Sequence, residues 1–319
     1  MIEKEESTLK ISLDKIAILI PAKDRAQVLP QCLSAIYSID YPKERISLLF
    51  LDDRSLDKTG EIFKEFKSNY EKEYNSIEIL KLEGNPKERN IARARNILIQ
   101  EWKKIHTDWA LFVDSDVIVP KDVLKILLQK ARDERADIVC MPYAENPRDL
   151  HKPFEEKNVN IHLGCTLFSK RALNCIGSIN LRFKVWDDVF VWFKAIKLGL
   201  NNVWTVKNRC LHLKKTNHKR YTLRGLLLQP HLHVLLAKAG ILQRAIIMRY
   251  LFYYSLLTSL ALSFIYPYYF IPLFLLIFIV GLIHHRINFF RSALPNGIFL
   301  CIGLPLQFFI PERYWTSSD

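Results

Sequence analysis

The amino-acid sequence predicts an α/β fold built on a parallel β-sheet with flanking helices, followed by C-terminal membrane helices. Short apolar runs alternate with helical segments up to about residue 141, which is the pattern of repeated βαβ units. Two of these runs end in pairs of carboxylates, and charged residues become rare after residue 244. A chain of 319 residues has room for one large domain and an appendage.

Five runs are predicted to be strands, and four segments are predicted to be the helices that connect them. The runs are apolar throughout or alternate with polar residues, as strands buried on two faces or on one face do. The connecting segments repeat apolar residues with helical spacing. The predicted strands are residues 16–20, 46–51, 76–82, 109–113 and 137–141, and the predicted helices are residues 28–39, 61–70, 88–105 and 121–132.

Two predicted strands end in acidic pairs, Asp52-Asp53 and Asp114-Ser-Asp116. In a parallel sheet the carboxyl ends of both strands lie along one edge, where α/β sheets bind ligands. Carboxylates next to a buried strand need a cation or hydrogen bonds to compensate them. We expect one pair to hold a divalent cation with a phosphorylated substrate, and the other to hydrogen-bond a nucleobase or ribose. The alternative is a solvated turn in which one aspartate caps a helix.

Other common nucleotide-binding motifs do not occur in the sequence. Neither G-x-G-x-x-G nor G-x-x-x-x-G-K-[ST] is present, so a dinucleotide-binding or P-loop site loses its main support. The six cysteines form no C-x-x-C pair and are expected to be reduced core residues. The first 15 residues are polar, without the apolar segment of a cleaved signal peptide, so the large domain is expected in the cytoplasm.

The formal charge of +13 lies mostly in the first 244 residues. Such an excess favours anionic partners such as phosphates, nucleic acid or an acidic membrane surface, or is ordinary solubilising charge. Of these partners we expect a phosphorylated substrate and the membrane, and no nucleic acid. Arg93, Arg95 and Asn96 lie on the helix before the second acidic pair and are placed to reach phosphates, although Arg93 alone is typical of a solvated helix face.

Five motifs follow one another along the sequence, in the order Ile18-Leu-Ile-Pro-Ala-Lys-Asp-Arg25, Leu51-Asp-Asp-Arg-Ser-Leu-Asp-Lys-Thr59, Ala94-Arg-Asn96, Phe112-Val-Asp-Ser-Asp116, and Trp186-Asp-Asp188 ahead of Leu198-Gly199. Together these motifs resemble the family 2 glycosyltransferases, which have the GT-A fold. At three positions the sequence departs from this family's usual residues: Asp24 stands where Asn is frequent, Arg54 where Gly is usual, and Asp187 where Glu is common.

The resemblance implies a nucleotide-diphosphate sugar donor, an inverting transfer and a divalent cation, Mn²⁺ or Mg²⁺. It implies that Asp53 binds the base and that Asp114 and Asp116 hold the ribose and the metal. The residues expected to bind the nucleotide sugar are Pro21, Lys23, Asp53, Arg95, Asn96, Asp114, Lys215 and Arg220, and those expected to bind the metal are Asp116 and His212.

Some of these assignments have ordinary structural alternatives. His212 taken alone is typical of a hydrogen-bonded core histidine, although imidazole suits Mn²⁺ better than Mg²⁺. The basic run that contains Lys215 and Arg220 either neutralises a departing nucleoside diphosphate or forms a solvated or membrane-facing patch.

Asp188 is the expected general base, and Asp187 is expected to orient the acceptor or to cap the following helix. Adjacent carboxylates at a helix start are usually caps. An inverting transfer to a hydroxyl, however, needs one positioned carboxylate to take the hydroxyl proton. Asp188 matches the position of the base in the resembling family.

A short helix is predicted upstream of this pair, over residues 169–176. It is followed by Gly177, where the backbone either approaches a substrate or forms a simple turn.

The expected activity is transfer of a sugar to a hydroxyl of a membrane-associated glycan or lipid-linked acceptor. The alternatives are transfer to polyprenyl phosphate, a non-catalytic nucleotide-sugar-binding membrane module and, more weakly, a nucleotidyltransferase. An ionised phosphate acceptor attacks without a general base, so the Asp187-Asp188 pair favours a hydroxyl acceptor.

The predicted domains are a catalytic domain over residues 1–220, an amphipathic interfacial helix region over residues 221–244, and a membrane region over residues 245–319. Apolar runs in the membrane region predict two or three segments, and a buried soluble core is the alternative. The loop with Arg286 and Arg291 is expected to lie inside, which places the catalytic domain on the cytoplasmic side of the cell membrane. The apolar runs are residues 250–266, 270–283 and 298–310.

Overall fold

The computed structural model describes residues 13–152, 162–183, 186–200, 203–213, 232–240, 244–285 and 301. The chain divides into two compact units. The first unit consists of residues 1–181 and 187–216, and the second consists of residues 182–186 and 217–319. The acidic residues of the candidate site all belong to the first unit, and the long apolar helices belong to the second.

Ten strands and nine α-helices are assigned within these described residues. The strands are β1 (Ile16–Ala22), β2 (Ile46–Asp52), β3 (Ser76–Lys81), β4 (Trp109–Val113), β5 (Val117–Ile118), β6 (Ile138–Cys140), β7 (Tyr143–Ala144), β8 (Cys165–Ser169), β9 (Val203–Thr205) and β10 (Cys210–His212). The helices are α1 (Leu29–Tyr37), α2 (Thr59–Tyr70), α3 (Ile91–Trp102), α4 (Val123–Asp133), α5 (Lys170–Ile176), α6 (Asp187–Lys197), α7 (232–238), α8 (Arg244–Ser263) and α9 (Pro267–His285).

The main sheet of the first unit has seven strands in the order β3-β2-β1-β4-β8-β6-β9. Strands β3, β2, β1 and β4 are parallel to one another, as predicted. Strand β8 runs antiparallel to both of its neighbours, β4 and β6. A second, three-stranded sheet has the order β5-β10-β7 and brings the chain near residue 212 back beside the end of β4.

The parallel strands form because their sequences are apolar on both faces. Every residue of β1 and of β2 is buried. On one side of the sheet, apolar residues of α1, α2 and α4 join the strand residues in a single core, where Phe50 stacks on Phe63 with ring centroids 4.5 Å apart. Burying each such side chain contributes about 1.5–3 kcal/mol. This core fixes the strand ends from which the acidic residues project.

Strand β8 is the main difference from the predicted sheet. The sequence predicts a short helix over residues 169–176, and this helix is present as α5 (Lys170–Ile176). The five residues before it, Cys165–Ser169, form a buried strand between β4 and β6. This strand has only five residues, of which Thr166 and Ser169 are polar, so neither strand periodicity nor length distinguished it from a loop.

The second unit contains the apolar helices α8 and α9. Residues 246–263 of α8 form one helix that is long and apolar enough to cross a membrane by length and composition, with a mean hydropathy of 1.3 and 17% of the segment buried. Residues 267–280 of α9 form a shorter apolar helix. Helix α7 lies within the predicted interfacial region. The third predicted segment, residues 298–310, lies outside the described residues except for Cys301.

Candidate active site

A cavity of about 370 Å³ opens at the carboxyl edge of β1, β2 and β4. Because these three strands are parallel and adjacent, Asp53 after β2 and Asp114 after β4 face the same cavity on either side of β1. Seven of the ten predicted site residues in the described part of the chain line it. The cavity is lined by Pro21, Ala22, Lys23, Arg25, Asp53, Ile91, Ala94, Arg95, Asp114, Ser115, Asp116 and His212.

Asp53 is held by the residue that follows it. Arg54 donates from Nε and Nη2 to Asp53 Oδ1, at 2.8 and 2.6 Å. Arg54 has a φ of 58°, a left-handed conformation that is uncommon for a residue with a side chain. Lys23 Nζ donates to the carbonyls of Asp53 and Arg54, at 2.8 and 3.2 Å. Both side-chain bonds from Arg54 go to Oδ1, and no described residue donates to Asp53 Oδ2, so this oxygen is the one available to a ligand in the cavity.

Arg95 joins two carboxylates from different elements. Its Nη2 donates to Asp114 Oδ1 at 2.6 Å, and its Nη1 donates to Asp187 Oδ2. The Arg95 residue is only 4% exposed. Although burial lowers the pKa of Arg95, the two carboxylates raise it above its usual value, so the guanidinium stays charged. Arg95 lines the cavity and links it to the start of α6, and the predicted contact of Arg95 with a phosphate stays a prediction.

Asp187 and Asp188 begin α6 but face different surroundings. Asp187 is buried, and this burial raises its pKa to about 6, against the opposing effect of Arg95. Asp188 is partly exposed and accepts the backbone N–H of Val189 at Oδ1, at 2.8 Å. Its other oxygen, Oδ2, lies 3.8 Å from His162 Nδ1. Within the described part of the chain Asp188 Oδ2 accepts no hydrogen bond, whereas Asp187 is paired with Arg95 inside the protein.

Asp116 lies between the side chains of Arg25 and His212. Arg25 Nε is 3.4 Å from Asp116 Oδ2, and His212 Nε2 is 3.5 Å from Asp116 Oδ1. Although burial raises the pKa of Asp116, the contacts with His212 and Arg25 bring it below its usual value. The contact with Asp116 raises the pKa of His212.

The pair of Asp116 and His212 offers one oxygen and one nitrogen donor, a set that suits Mn²⁺. Their donor atoms lie 3.5 Å apart, close enough for both side chains to hold the same divalent cation. Among the described residues no group of three or more His, Cys, Asp or Glu side chains is placed to hold a metal.

Asn96 lies on α3 outside the cavity lining. Its Nδ2 donates to the carbonyl of Ile179, and its Oδ1 accepts the N–H of Ile179, both at 2.7 Å. This pair of bonds ties α3 to the loop after α5, which is a structural use of a residue predicted to bind the donor. Lys215 and Arg220, also predicted to bind the donor, lie outside the described residues.

Sequence reasoning missed Arg25, Tyr143 and His162. The ring of Tyr143 stacks on His212 with centroids 5.0 Å apart, and its hydroxyl lies close to Gly164. A Cβ atom on Gly164 would lie 1.7 Å from the Tyr143 oxygen and 2.4 Å from Asp114 Oδ2. Burial and the charge of Asp114 raise the pKa of Tyr143 well above its usual value, so it remains a phenol. The glycine was the only signal in the sequence for this crowding.

The model of glycosyl transferase family 2 matches residues 17–183, which is more than half of the chain. The chain belongs to this family. The match confirms the predicted enzyme class, a glycosyltransferase, and it includes β1 to α5 with the strand ends that carry Asp53, Asp114 and Asp116.

Proteins of known name and structure resemble parts of the chain. Poly-β-1,6-N-acetyl-D-glucosamine synthase of Staphylococcus epidermidis is 22% identical over 194 residues, covering 60% of this chain and 42% of the relative. The first curated relatives are all matched over less than half of their own length. S. aureus TarS 1-349 in complex with UDP-GlcNAc has a TM-score of 0.51 at 19% identity, covering 69% of this chain and 66% of that one.

The mannosyltransferase PcManGT from Pyrobaculum calidifontis, in complex with GDP-Man and Mn²⁺, has a TM-score of 0.60 at 15% identity. The match covers 92% of this chain and 87% of that one. At these identities the two structures establish a likeness of fold. The predicted GT-A fold is confirmed.

Proposed function

We propose that the protein transfers a sugar from a nucleotide-diphosphate donor to a hydroxyl group of a membrane-associated glycan or lipid-linked acceptor, with inversion and with a divalent cation. The proposal rests on a series of contacts that connects the cavity with the carboxylate of Asp188. Asp114 in the cavity contacts Arg95, Arg95 contacts Asp187, and Asp187 precedes the partly exposed Asp188.

The cavity provides groups for both ends of a nucleotide-diphosphate sugar. Asp53 Oδ2 is available to accept an N–H from the base, while Arg54 and Lys23 hold Asp53 in place. Asp114 lies on the other side of β1, near the expected ribose. The similar structures contain UDP-GlcNAc in one case and GDP-Man in the other, so both uridine and guanosine donors are reasonable candidates.

Asp116 and His212 are the proposed metal ligands. When bound there, a divalent cation supplies positive charge that stabilises the departing diphosphate. The similar structure with GDP-Man also contains Mn²⁺, which supports this assignment. Arg25 lies beside Asp116 and adds a second positive charge to the same end of the cavity.

Asp188 is the proposed general base. Because its Oδ1 accepts a backbone N–H, Oδ2 is the oxygen that takes the proton of the acceptor hydroxyl. As the hydroxyl oxygen attacks the anomeric carbon from one side, the bond to the diphosphate breaks on the other side, which inverts the configuration.

A hydroxyl acceptor fits the charge around Asp188 better than a phosphate does. Asp187 adjoins it, and the guanidinium of Arg95 is already shared between Asp187 and Asp114. Among the described residues, only the partly exposed His162 brings a potentially cationic group within ion-pair distance of Asp188. A phosphate would meet repulsion from these carboxylates, whereas a neutral hydroxyl would not.

The second unit is proposed to attach the protein to the membrane, with the catalytic unit on the cytoplasmic side. Large apolar side chains are exposed along α8 and α9, including Met248, Leu251 and Leu276. Surfaces of this kind are rare on monomeric soluble proteins and mark sites of interaction with lipid or with other proteins.

The test compares the full chain with Asp188→Asn on UDP- and GDP-sugars with Mn²⁺ or Mg²⁺. Removing the base should lower turnover by about two to four powers of ten while donor affinity changes little. Asp133→Asn is a matched control, because Asp133 is an exposed carboxylate that accepts a hydrogen bond from Gln129 on α4. Unchanged turnover in Asp188→Asn, or polyprenyl phosphate glycosylated at the wild-type rate by this variant, would contradict the proposed mechanism.

A further inference from the structure

His162 is a titratable residue beside the proposed base to which the mechanism above assigns no role. Its Nδ1 lies 3.8 Å from Asp188 Oδ2, which is too long for a direct hydrogen bond. An oxygen atom about 2.7 Å from Oδ2 and about 2.9 Å from Nδ1 fits between them at ordinary hydrogen-bond lengths. The two side chains therefore frame a position for a single hydroxyl oxygen.

The backbone of His162 is held on both sides. Its N–H donates to Cys140 Sγ at 3.3 Å. Its carbonyl accepts the hydroxyl of Thr166 at 2.6 Å and the N–H of Cys165 at 3.4 Å. Cys140, Thr166 and Cys165 are all fully buried. The buried sheet strands β6 and β8 thus fix the backbone of a histidine whose side chain is half exposed.

The ring of His162 is also restricted. It packs against Tyr143, with ring centroids 5.3 Å apart and planes inclined by 30°. Tyr143 is itself fixed between His212 and Gly164. A rigid backbone and a packed ring together hold Nδ1 in one direction, toward the free oxygen of Asp188. Loosely held surface histidines lack this restriction.

We propose that His162 is a positioning residue for the attacking oxygen, an inference that rests on the proposed function. With a proton on Nδ1, it donates a hydrogen bond to the acceptor hydroxyl, or to water when no acceptor is present. Asp188 Oδ2 accepts the proton of the same hydroxyl. One lone pair of the oxygen is then held by His162, and the other points to the anomeric carbon.

The proton and electron movements balance in this arrangement. The new bond forms between the hydroxyl oxygen and the anomeric carbon, and the hydroxyl proton passes to Asp188 Oδ2. The bond from the anomeric carbon to the diphosphate oxygen breaks, and its electron pair leaves with the nucleoside diphosphate. His162 keeps its proton throughout, so it orients the oxygen and does not act as the base.

The experiment measures donor hydrolysis by the full chain, in which water occupies the place of the acceptor. UDP-glucose, UDP-N-acetylglucosamine and GDP-mannose serve as donors, and donor binding is measured separately by equilibrium dialysis. His162→Ala should lower kcat by about tenfold or more without changing donor affinity, because the lost hydrogen bond acts on the attacking oxygen. His106→Ala, at an exposed histidine before β4, is the matched control and should retain full kcat.

Two further variants separate positioning from folding. The amide of Asn lies near the position of Nδ1, whereas the amide of Gln extends toward the position of Nε2. His162→Asn should therefore recover much of the lost kcat, and His162→Gln should not. Equal kcat in the Asn and Ala variants, or a loss of donor affinity in place of kcat, would overturn the proposal.

The results that would overturn the role of His162 differ from those that would overturn the proposed function. Full kcat in His162→Ala with an inactive Asp188→Asn would overturn the role of His162 alone. If the wild type hydrolysed none of the three donors, or if Asp188→Asn hydrolysed them at the wild-type rate, the proposed function itself would fall.

Discussion

Asp187 and Asp188 are neighbours in sequence, and their different burial predicts different effects of pH. Burial raises the pKa of Asp187 to about 6, so its carboxyl is ionised and paired with Arg95 above that pH and neutral below it. If the charged pair holds the start of α6 in place, activity should fall as the pH drops through about 6.

The variant Asp187→Asn fixes the neutral state and provides the test. At about pH 8 it should show the low activity that the wild type has at about pH 5, and its profile should lack the decline near pH 6. The measurement is kcat/KM for the donor as a function of pH. If Asp187→Asn kept the decline in kcat/KM near pH 6, that decline would be caused by another titratable group.

Asp116 is a proposed metal ligand, so replacing it should remove the metal dependence of donor binding. Asp116→Ala removes one of the two proposed ligands and should lower metal-dependent donor affinity by about a hundredfold or more. Isothermal titration of donor with and without Mn²⁺ measures the effect. Asp122→Ala is the control, because the Asp122 side chain makes no capping hydrogen bond to α4. Full wild-type activity in excess EDTA would contradict the assignment.

At the scale of the elements, the approach of β8 to β4 depends on Gly164. The Gly164 carbonyl accepts the N–H of Asp114 at 3.0 Å, and an added Cβ would meet the Tyr143 oxygen. Gly164→Ala should therefore destabilise the fold and displace Asp114, at a cost of about 1–3 kcal/mol. Thermal unfolding measures the loss.

The double variant Gly164→Ala with Tyr143→Phe identifies the cause of that loss. Removing the phenol oxygen takes away the nearest clash, so the double variant should recover part of the stability, with Tyr143→Phe alone as the reference. Strictly additive losses would show that the Tyr143 oxygen does not limit the space at Gly164.

The elements differed in how far the sequence could predict them. Strands β1, β2 and β4 could be predicted because parallel strands buried on both faces leave continuous apolar runs, and their ends located Asp53, Asp114 and Asp116. The direction of β8 could not be predicted, because it depends on which neighbours the strand pairs with after the chain has folded.

Side-chain partners were harder to predict than strand ends. The sequence indicates that Arg95 and Asn96 matter, but their partners Asp187 and Ile179 are 92 and 83 residues away. Such pairs form only when distant elements meet, and no periodicity in the sequence records them. His162 belongs to no motif in the sequence, and its proposed role depends on its position beside Asp188 in the folded chain.

For the whole molecule, the apolar helices of the second unit predict attachment to lipid. A chain ending at about residue 240 lacks α8 and α9 and should no longer float with vesicles of anionic and neutral phospholipid in high salt. Donor hydrolysis should survive the truncation better than transfer to a lipid-linked acceptor. Flotation of the truncated chain with vesicles would place the attachment elsewhere.

The shared use of Arg95 also limits how the protein can change in evolution. One guanidinium neutralises Asp114 and Asp187 together, so losing Arg95 removes the ion-pair partner that the described residues provide for both carboxylates. Losing one carboxylate leaves a buried cation with a single partner. Each single step is unfavourable, and a different arrangement requires several changes at once. Substitutions at Arg95, Asp114 and Asp187 should therefore occur together. A triple-mutant cycle of these residues should give strongly non-additive free energies of unfolding.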